Sequence, residues 1–484
     1  LLRRPLHTEL MVLGVALVGA AVGVLFARWA SALIVTLLSS SGRMVWLDLS
    51  LDLRVMGFTA AVATATGLIF GLAPAWRSTR VTPQAAIRGG ARGIASGGGG
   101  YAAGRALVIG QLAMSLVLVM AAGLLVGSLR RLATLDPGFE GQGVLVIGAN
   151  LRNTGYAPDA LRGVEHDLLE RLRALPGVRS ASASMVTPIG GSTWNNDVLV
   201  DGYEPRDEED RLTYFNTVGD GFFTTLGTGL LAGRDFDAGD TEGAPLVAVI
   251  NQTMALRFFG DLRPLGRRFR VSSVVGSGPE YEVVGVVEDS KYESLSEADL
   301  PQAYFPLGQG ELFGPSVRFV VRADGPPAAL IPTVKAAMAE ANPAISLDIA
   351  TLSSQVAASL ARPRLLAVLS GFFGAVALLL AMIGLYGTLS YTVTSRRREL
   401  GGRLALGAAP ARVLRMVLAE VGRLAVAGIV LGALAALAAS RALSAFLFGM
   451  TPSDPGTLAM AAATLAAVAM VAGREMNRLP QAIR

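Results

Sequence analysis

Six apolar runs constrain this chain more than any other feature. They are about Leu10–Ala27, Val55–Trp76, Ala106–Leu129, Leu365–Thr394, Leu424–Ser440 and about Leu458–Gly473. A spanning helix needs roughly 20 apolar residues, and backbone groups in lipid must be satisfied within the segment. The runs therefore predict six transmembrane helices. None has an Asp, Glu, Lys, Arg or His in its interior, which argues against a proton relay inside the membrane. The last two are rich in Ala and Gly, and small residues let helices pack closely in lipid. Composition agrees: 52% of residues are hydrophobic and only 16% charged, against about 25% charged in a typical soluble domain. That excludes a disordered chain and an ordinary soluble enzyme. With no Cys, a disulfide scaffold, a thiolate nucleophile and a Cys metal site are excluded too.

Charge then divides the sequence. Residues 130–363 hold 30 of the 37 acids but only 20 of the 42 bases. The remaining residues are strongly basic, so the net +5 describes neither part and does not signal nucleic-acid binding. Cytoplasmic loops carry an excess of Arg and Lys. Arg77, Arg80, Arg88, Arg92 and Arg105 stand between runs two and three with no acid, and Arg396 and Arg397 follow run four. Placing these inside orients all six helices consistently. The acidic block 130–363 then lies outside the cytoplasmic membrane.

The chain also reads as partly duplicated. Ala27-Arg28-Trp29-Ala30-Ser31-Ala32-Leu33 follows run one as Ser440-Arg441-Ala442-Leu443-Ser444-Ala445-Phe446 follows run five. Pro83-Gln84-Ala85-Ala86-Ile87-Arg88 follows run two as Pro480-Gln481-Ala482-Ile483-Arg484 follows run six. Glu9 precedes run one as Glu420 precedes run five. Runs one and two are thus expected to copy runs five and six, and the chain to be part of a longer duplicated protein.

The outer block reads as α+β in two subdomains. Strands are expected at 144–150, 178–185, 212–218, 247–250, 268–271, 281–287, 302–305, 317–321 and 345–349. Helices are expected at 158–175, 328–341 and 352–360. A strand-rich insert subdomain is expected at about 203–310. Chemistry is sparse. The acids Glu204, Asp207, Glu208, Glu209 and Asp210 lack the spacing and Gly of a calcium loop. His7 and His166 are isolated, so no metal site is expected. Ser184, Ser192 and Ser272 lack a nucleophile-elbow context, so no catalytic residue is assigned. The two lysines, Lys291 and Lys335, do not sit in the G-x-x-x-x-G-K-[ST] loop that cradles ATP phosphates.

The segment after run four is the most informative: Arg398-Glu399-Leu400-Gly401-Gly402-Arg403-Leu404-Ala405-Leu406-Gly407-Ala408. It reads as a short interfacial helix that stops near Gly407, with Pro410 opening another helix. This stretch resembles the signature of FtsX-like, MacB-like ABC permeases. Leu135-Asp136-Pro137-Gly138-Phe139, Gly233-Arg234-Asp235-Phe236, residues 251–259, Pro264-Leu265-Gly266-Arg267-Arg268 and Leu447–Pro455 are similar to that family as well. The layout resembles its large tandem permeases of the acidobacterial type. Gly402 departs from the bulky apolar residue usual there, and Gly473-Arg474-Glu475-Met476-Asn477 replaces a usual Pro-Ala-x-Arg-Ala stretch.

The resemblance implies an α-helical membrane protein with an inserted α+β extracytoplasmic domain. Residues 1–105 would be the end of a first permease half, and 106–129 the first helix of a second. Residues 130–363 would be a MacB-like core domain, and 364–484 an FtsX-like domain with three helices. It implies a permease in the bacterial inner membrane that binds no cofactor and has no catalytic site. ATP and Mg would sit on a separate ATPase subunit, coupled through Arg398, Glu399, Leu400, Gly401, Arg403, Ala405, Leu406 and Gly407. The helix of run four, thirty residues long and so about 45 Å, exceeds a hydrocarbon core of about 30 Å and would carry motion outward. Other partners implied are membrane lipids, a periplasmic protein, and a second half or second copy as the pair; no nucleic acid is implied. The alternative is a membrane receptor with a ligand-binding outer domain. It would call for a cytoplasmic output domain, and no segment of this sequence reads as one.

Overall fold

A computed structural model of the chain describes residues 98–272, 277–309, 316–395, 410–443 and 447–475, with isolated helical positions at 19, 23, 25, 28, 57, 58 and 61. Runs one and two, and the repeat that rests on them, lie almost wholly outside the described residues.

Helix α1 (Gly98–Ala133) leads into strand β1 (Val144–Asn150), helix α2 (Leu161–Arg173) and strand β2 (Val178–Ala183). Strands β3 (Asn195–Leu199) and β4 (Leu212–Val218), helix α3 (Phe222–Leu226) and strands β5 (Leu230–Gly233) and β6 (Val247–Asn251) follow. Next come β7 (Arg268–Ser272), β8 (Ser277–Val287), β9 (Gln302–Pro306) and β10 (Ser316–Ala323). Helix α4 (Ile331–Ala341), strand β11 (Ser346–Thr351) and helices α5 (Leu352–Ser359), α6 (Ala361–Ser395), α7 (Pro410–Leu443) and α8 (Pro455–Glu475) complete the order. The chain divides into two units, Leu1–Arg131 with Arg362–Arg484, and Leu132–Ala361.

In the first unit, α1, α6, α7 and α8 are long and apolar enough to cross a membrane. These four are the described members of the six expected spans. Helix α1 is the most enclosed: 44% of its apolar window is buried, against 22% for α6. Its buried stripe, Val108, Leu112, Leu116, Met120 and Leu124, steps by four residues and so keeps to one helix face. Ser115 Oγ, 2.8 Å from Gln111 O on its own helix, also lies 2.9 Å from Ala377 O on α6. Before α8, Asp454 accepts from Thr457 N at 2.8 Å and Thr457 Oγ1 at 2.7 Å. With Pro455 as its first residue, α8 therefore begins with a side-chain cap and a residue that needs no N–H partner.

The second unit holds two sheets. The first has order β11-β1-β10-β2, all antiparallel. Alternate residues Leu145, Ile147 and Ala149 of β1, with Val317, Phe319 and Val321 of β10, point into one core with Leu168, Leu169 and Leu172 of α2 and Val334 and Met338 of α4. On the opposite face, Arg322 Nε donates to Thr225 O at 2.8 Å, which places α3 there. The second sheet runs β5-β8-β6-β9-β4-β3-β7, and β7 pairs again with β8. It therefore closes into a six-stranded barrel, with β5 as a short extra strand on the far half of β8. Closure removes the sheet edges that would otherwise invite pairing. Phe215, Phe269, Phe305 and Ile250 fill the barrel. The barrel strands lie between β2 and β10, which pair with each other.

Most expected outer elements coincide with observed ones, β1 residue for residue. Four were not expected. Strand β3 reads Asn-Asn-Asp-Val-Leu, with only Val198 buried, so it lacks alternation; it begins upstream of residue 203. Strand β5 is four residues long and exposed. Helix α3 is five residues, too short for a helical period. The turn Gln252–Met254 with its π continuation Ala255–Phe259 follows β6 directly, so its residues blur into the strand.

Candidate functional site

All the residues expected to couple the chain to a partner, Arg398, Glu399, Leu400, Gly401, Arg403, Ala405, Leu406 and Gly407, lie outside the described residues. So do the expected topology-setting Arg77, Arg80, Arg88, Arg92, Arg396 and Arg397. What is described is the pair of helices flanking that segment: α6 ends at Ser395 and α7 begins at Pro410. Arg105 is described. Its guanidinium forms an ion pair with Glu420 of α7, whose side chain is 10% exposed. Farther along, a methyl added at Gly428 would meet Leu112 Cβ at 2.5 Å, and one at Gly432 would meet Leu116 Cβ and Ala113 O at 2.9 Å. Only Gly allows α7 this close to α1. Sequence reasoning had set Arg105 only as an inside marker and Glu420 only as a repeat marker. The signal for their pairing was that each opens an apolar span with the opposite sign.

In the second unit, the segment after α1 is anchored on β10, on α3 and on the loops that follow α3 and β8. Pro137 O accepts from Lys291 N at 2.8 Å, and Gly138 O from Thr228 Oγ1 at 3.1 Å. Gly138 has φ +77°, and a side chain there would run into the backbone of Asp289 and Ser290. Glu140 N donates to Leu226 O at 2.7 Å, and its carboxylate pairs with Arg322 at 3.0 Å. The segment before α6 is held too. Strand β11 pairs with β1, and Gln355 Nε2 of α5 donates to Pro188 O at 3.0 Å. The chain that leaves α1 and the chain that reaches α6 are therefore tied into one body.

Two further motif residues organise the barrel loops. Arg234 grips Asp240 with two bonds, at 2.7 and 2.8 Å, which holds the Asp240 carboxyl below its ordinary range. Asn251 is fully buried. Its Oδ1 accepts from Met254 N at 3.0 Å and Gln302 N at 2.8 Å, while its Nδ2 donates to Asp289 Oδ1 at 2.6 Å and Leu300 O at 2.8 Å. Burial pushes the Asp289 carboxyl up, opposed by two hydrogen bonds from Thr253. Burial also pushes the Tyr304 hydroxyl up to about 12. Asn216, Thr228, Ser290, Gln302 and Tyr304 line a cavity of about 10 Å³, room for a single water. Among the described residues, no three His, Asp or Glu side chains converge as metal ligands.

Apolar helices joined to an exported α/β domain define a multi-pass inner-membrane protein with an extracytoplasmic segment. Residues 106–341 match the MacB-like periplasmic core domain, and residues 371–473 match the FtsX-like permease C-terminal. The chain belongs to the FtsX-like, MacB-like ABC permease family.

It is similar to the macrolide export ATP-binding/permease protein MacB of Marinobacter nauticus, with 26% identity over 222 residues, covering 44% of this chain and 33% of that one. The pyoverdine export ATP-binding/permease protein PvdT of Pseudomonas syringae pv. tomato is 27% identical, over 44% of this chain and 33% of that one. The uncharacterized ABC transporter permease YknZ of Bacillus subtilis is 27% identical, over 44% of this chain and 53% of that one. The chain thus spans about a third of the length of the MacB and PvdT relatives. A crystal structure of the periplasmic region of MacB from Actinobacillus actinomycetemcomitans matches with 15% identity and a TM-score of 0.32, covering 46% of this chain and 94% of that one.

Proposed function

We propose that this chain is the non-catalytic permease subunit of an ABC-type system. ATP hydrolysis on a separate cytoplasmic ATPase, which would hold the ATP and Mg, moves the extracytoplasmic domain for efflux or mechanotransmission. The observation that supports this reading most is the anchorage of both chain connections in the second unit. The Pro137–Glu140 segment is held by β10, by α3 and by the loops that follow α3 and β8, and β11, which precedes α5 and α6, pairs directly with β1. Displacing either connection would move the domain as a body. The motion would begin at residues 398–407, between α6 and α7.

The test is affinity purification of the full chain from its own host, followed by an ATPase assay. An ATPase should co-purify, and charge reversal of Glu399 or Arg403 should release it. Retention of the ATPase after replacement of all of 396–412 would overturn the coupling assignment.

A further inference from the structure

Residues 396–409 join two helices, α6 and α7, so motion from there has two routes to α1. The geometry favours one of them. Arg105 and Glu420 each stand second in their span, Gly104–Ala133 and Ala419–Ala439. Glu420 is the sole acid within the four described span windows. The contacts Arg105 with Glu420, Leu112 with Gly428 and Leu116 with Gly432 keep a near-constant sequence offset. A constant offset means that α1 and α7 run parallel, side by side, as two helices crossing in the same direction must. Their seam is pinned by an ion pair at its head and closed by glycine contacts along the next turns. Helix α6 meets α1 differently. Ser115 faces Ala377, Gln111 faces Gly384 and Leu118 faces Gly374, so the helices are antiparallel and touch through small and uncharged groups.

At a membrane boundary, paired opposite charges attract strongly, while either charge left alone is costly. We propose that the Arg105–Glu420 pair clamps the heads of α1 and α7, so that the two helices move as one body. Helix α7 is then the route by which segment 396–409 drives α1, with Arg105 and Glu420 as positioning residues. This rests on the coupling reading only for what drives α7; the clamp itself does not.

The chain has no Cys, so a single engineered pair reports the seam. Val108→Cys with Leu424→Cys keeps the seam's offset one turn nearer the ion pair, at two buried positions, and each change shrinks the side chain it replaces, so the closeness of the helices decides whether a disulfide forms. In membranes holding the full chain, this pair should oxidise readily. Arg105→Glu or Glu420→Arg should slow oxidation about tenfold, and the double swap should restore it. Glu420→Gln, which preserves size and avoids repulsion, should slow it severalfold without loss of folded protein. If the single changes cross-link as fast as the parent, the clamp is refuted. In a complex isolated with its ATPase, oxidised and reduced forms should hydrolyse ATP alike, because a rigid pair does not open. Loss of turnover on oxidation would mean that the helices slide, and would also refute the clamp. If no ATPase accompanies the parent chain, the coupling reading falls, while the cross-linking rates still decide the pair.

Discussion

Glu165 occupies the buried face of α2 among Leu161, Leu168, Leu169 and Leu172, with 3% of its surface exposed. Its Oε2 makes no hydrogen bond to any described residue. Burial pushes its carboxyl from 4.5 up to about 7, against a smaller opposing pull from Arg162. The folded chain therefore holds a proton that the unfolded chain releases. This contribution is fully present below pH 4.5 and is lost as pH rises toward 7. Glu165→Gln should abolish that slope and raise stability above pH 7, by up to about 3 kcal/mol, in thermal melts of the full chain across pH. Asn251 makes the opposite case, a buried polar residue whose groups are all used. Asn251→Ala strands the N–H groups of Met254 and Gln302 and the carbonyl oxygen of Leu300, while Asp289 Oδ1 keeps its bond from Thr253 N. At about 1–3 kcal/mol for each buried group left unsatisfied, denaturant titration should show a loss of at least about 3 kcal/mol. Asn251 stood inside a recognised motif, so its position was legible; its four partners, up to 51 residues away, were not.

At the scale of elements, the seam between α1 and α7 depends on absent side chains. Gly432→Val would drive a branched side chain into Leu116 and Ala113 O, and packing in lipid offers few other contributions to offset that. The expected outcome is a lower melting temperature and loss of the monodisperse peak in detergent chromatography. Leu434→Ala, at a site 60% exposed, should leave both nearly unchanged. Long helices were legible because hydrophobicity alone sets them. Helices expected as 16 to 30 residues proved longer, as α7 shows with 34, because their ends continue into polar sequence that hydropathy does not mark. Strands β3 and β5 escaped for the reverse reason: neighbouring strands, not their own pattern, make them strands.

For the whole molecule, the division of charge predicts a topology that a Cys-free chain can report directly. A single Cys at Asp201, exposed in the acidic unit, should react with an impermeant maleimide in intact spheroplasts. One at Arg88 should react only after lysis. The reverse pattern would invert the orientation. Sequence by itself determined the four described apolar helices, the sign of each part and most outer strands. Those properties come from local hydrophobicity, alternation and charge, which neighbouring residues carry together. Tertiary structure decided the rest. It closed the second sheet into a barrel, set β1 beside β11, docked Pro137–Gly138 on the Asp289–Lys291 loop, and brought Arg105 to Glu420 across 315 residues of chain. Such pairings depend on shape and distance between segments remote in sequence, and no local pattern encodes which partner each will meet.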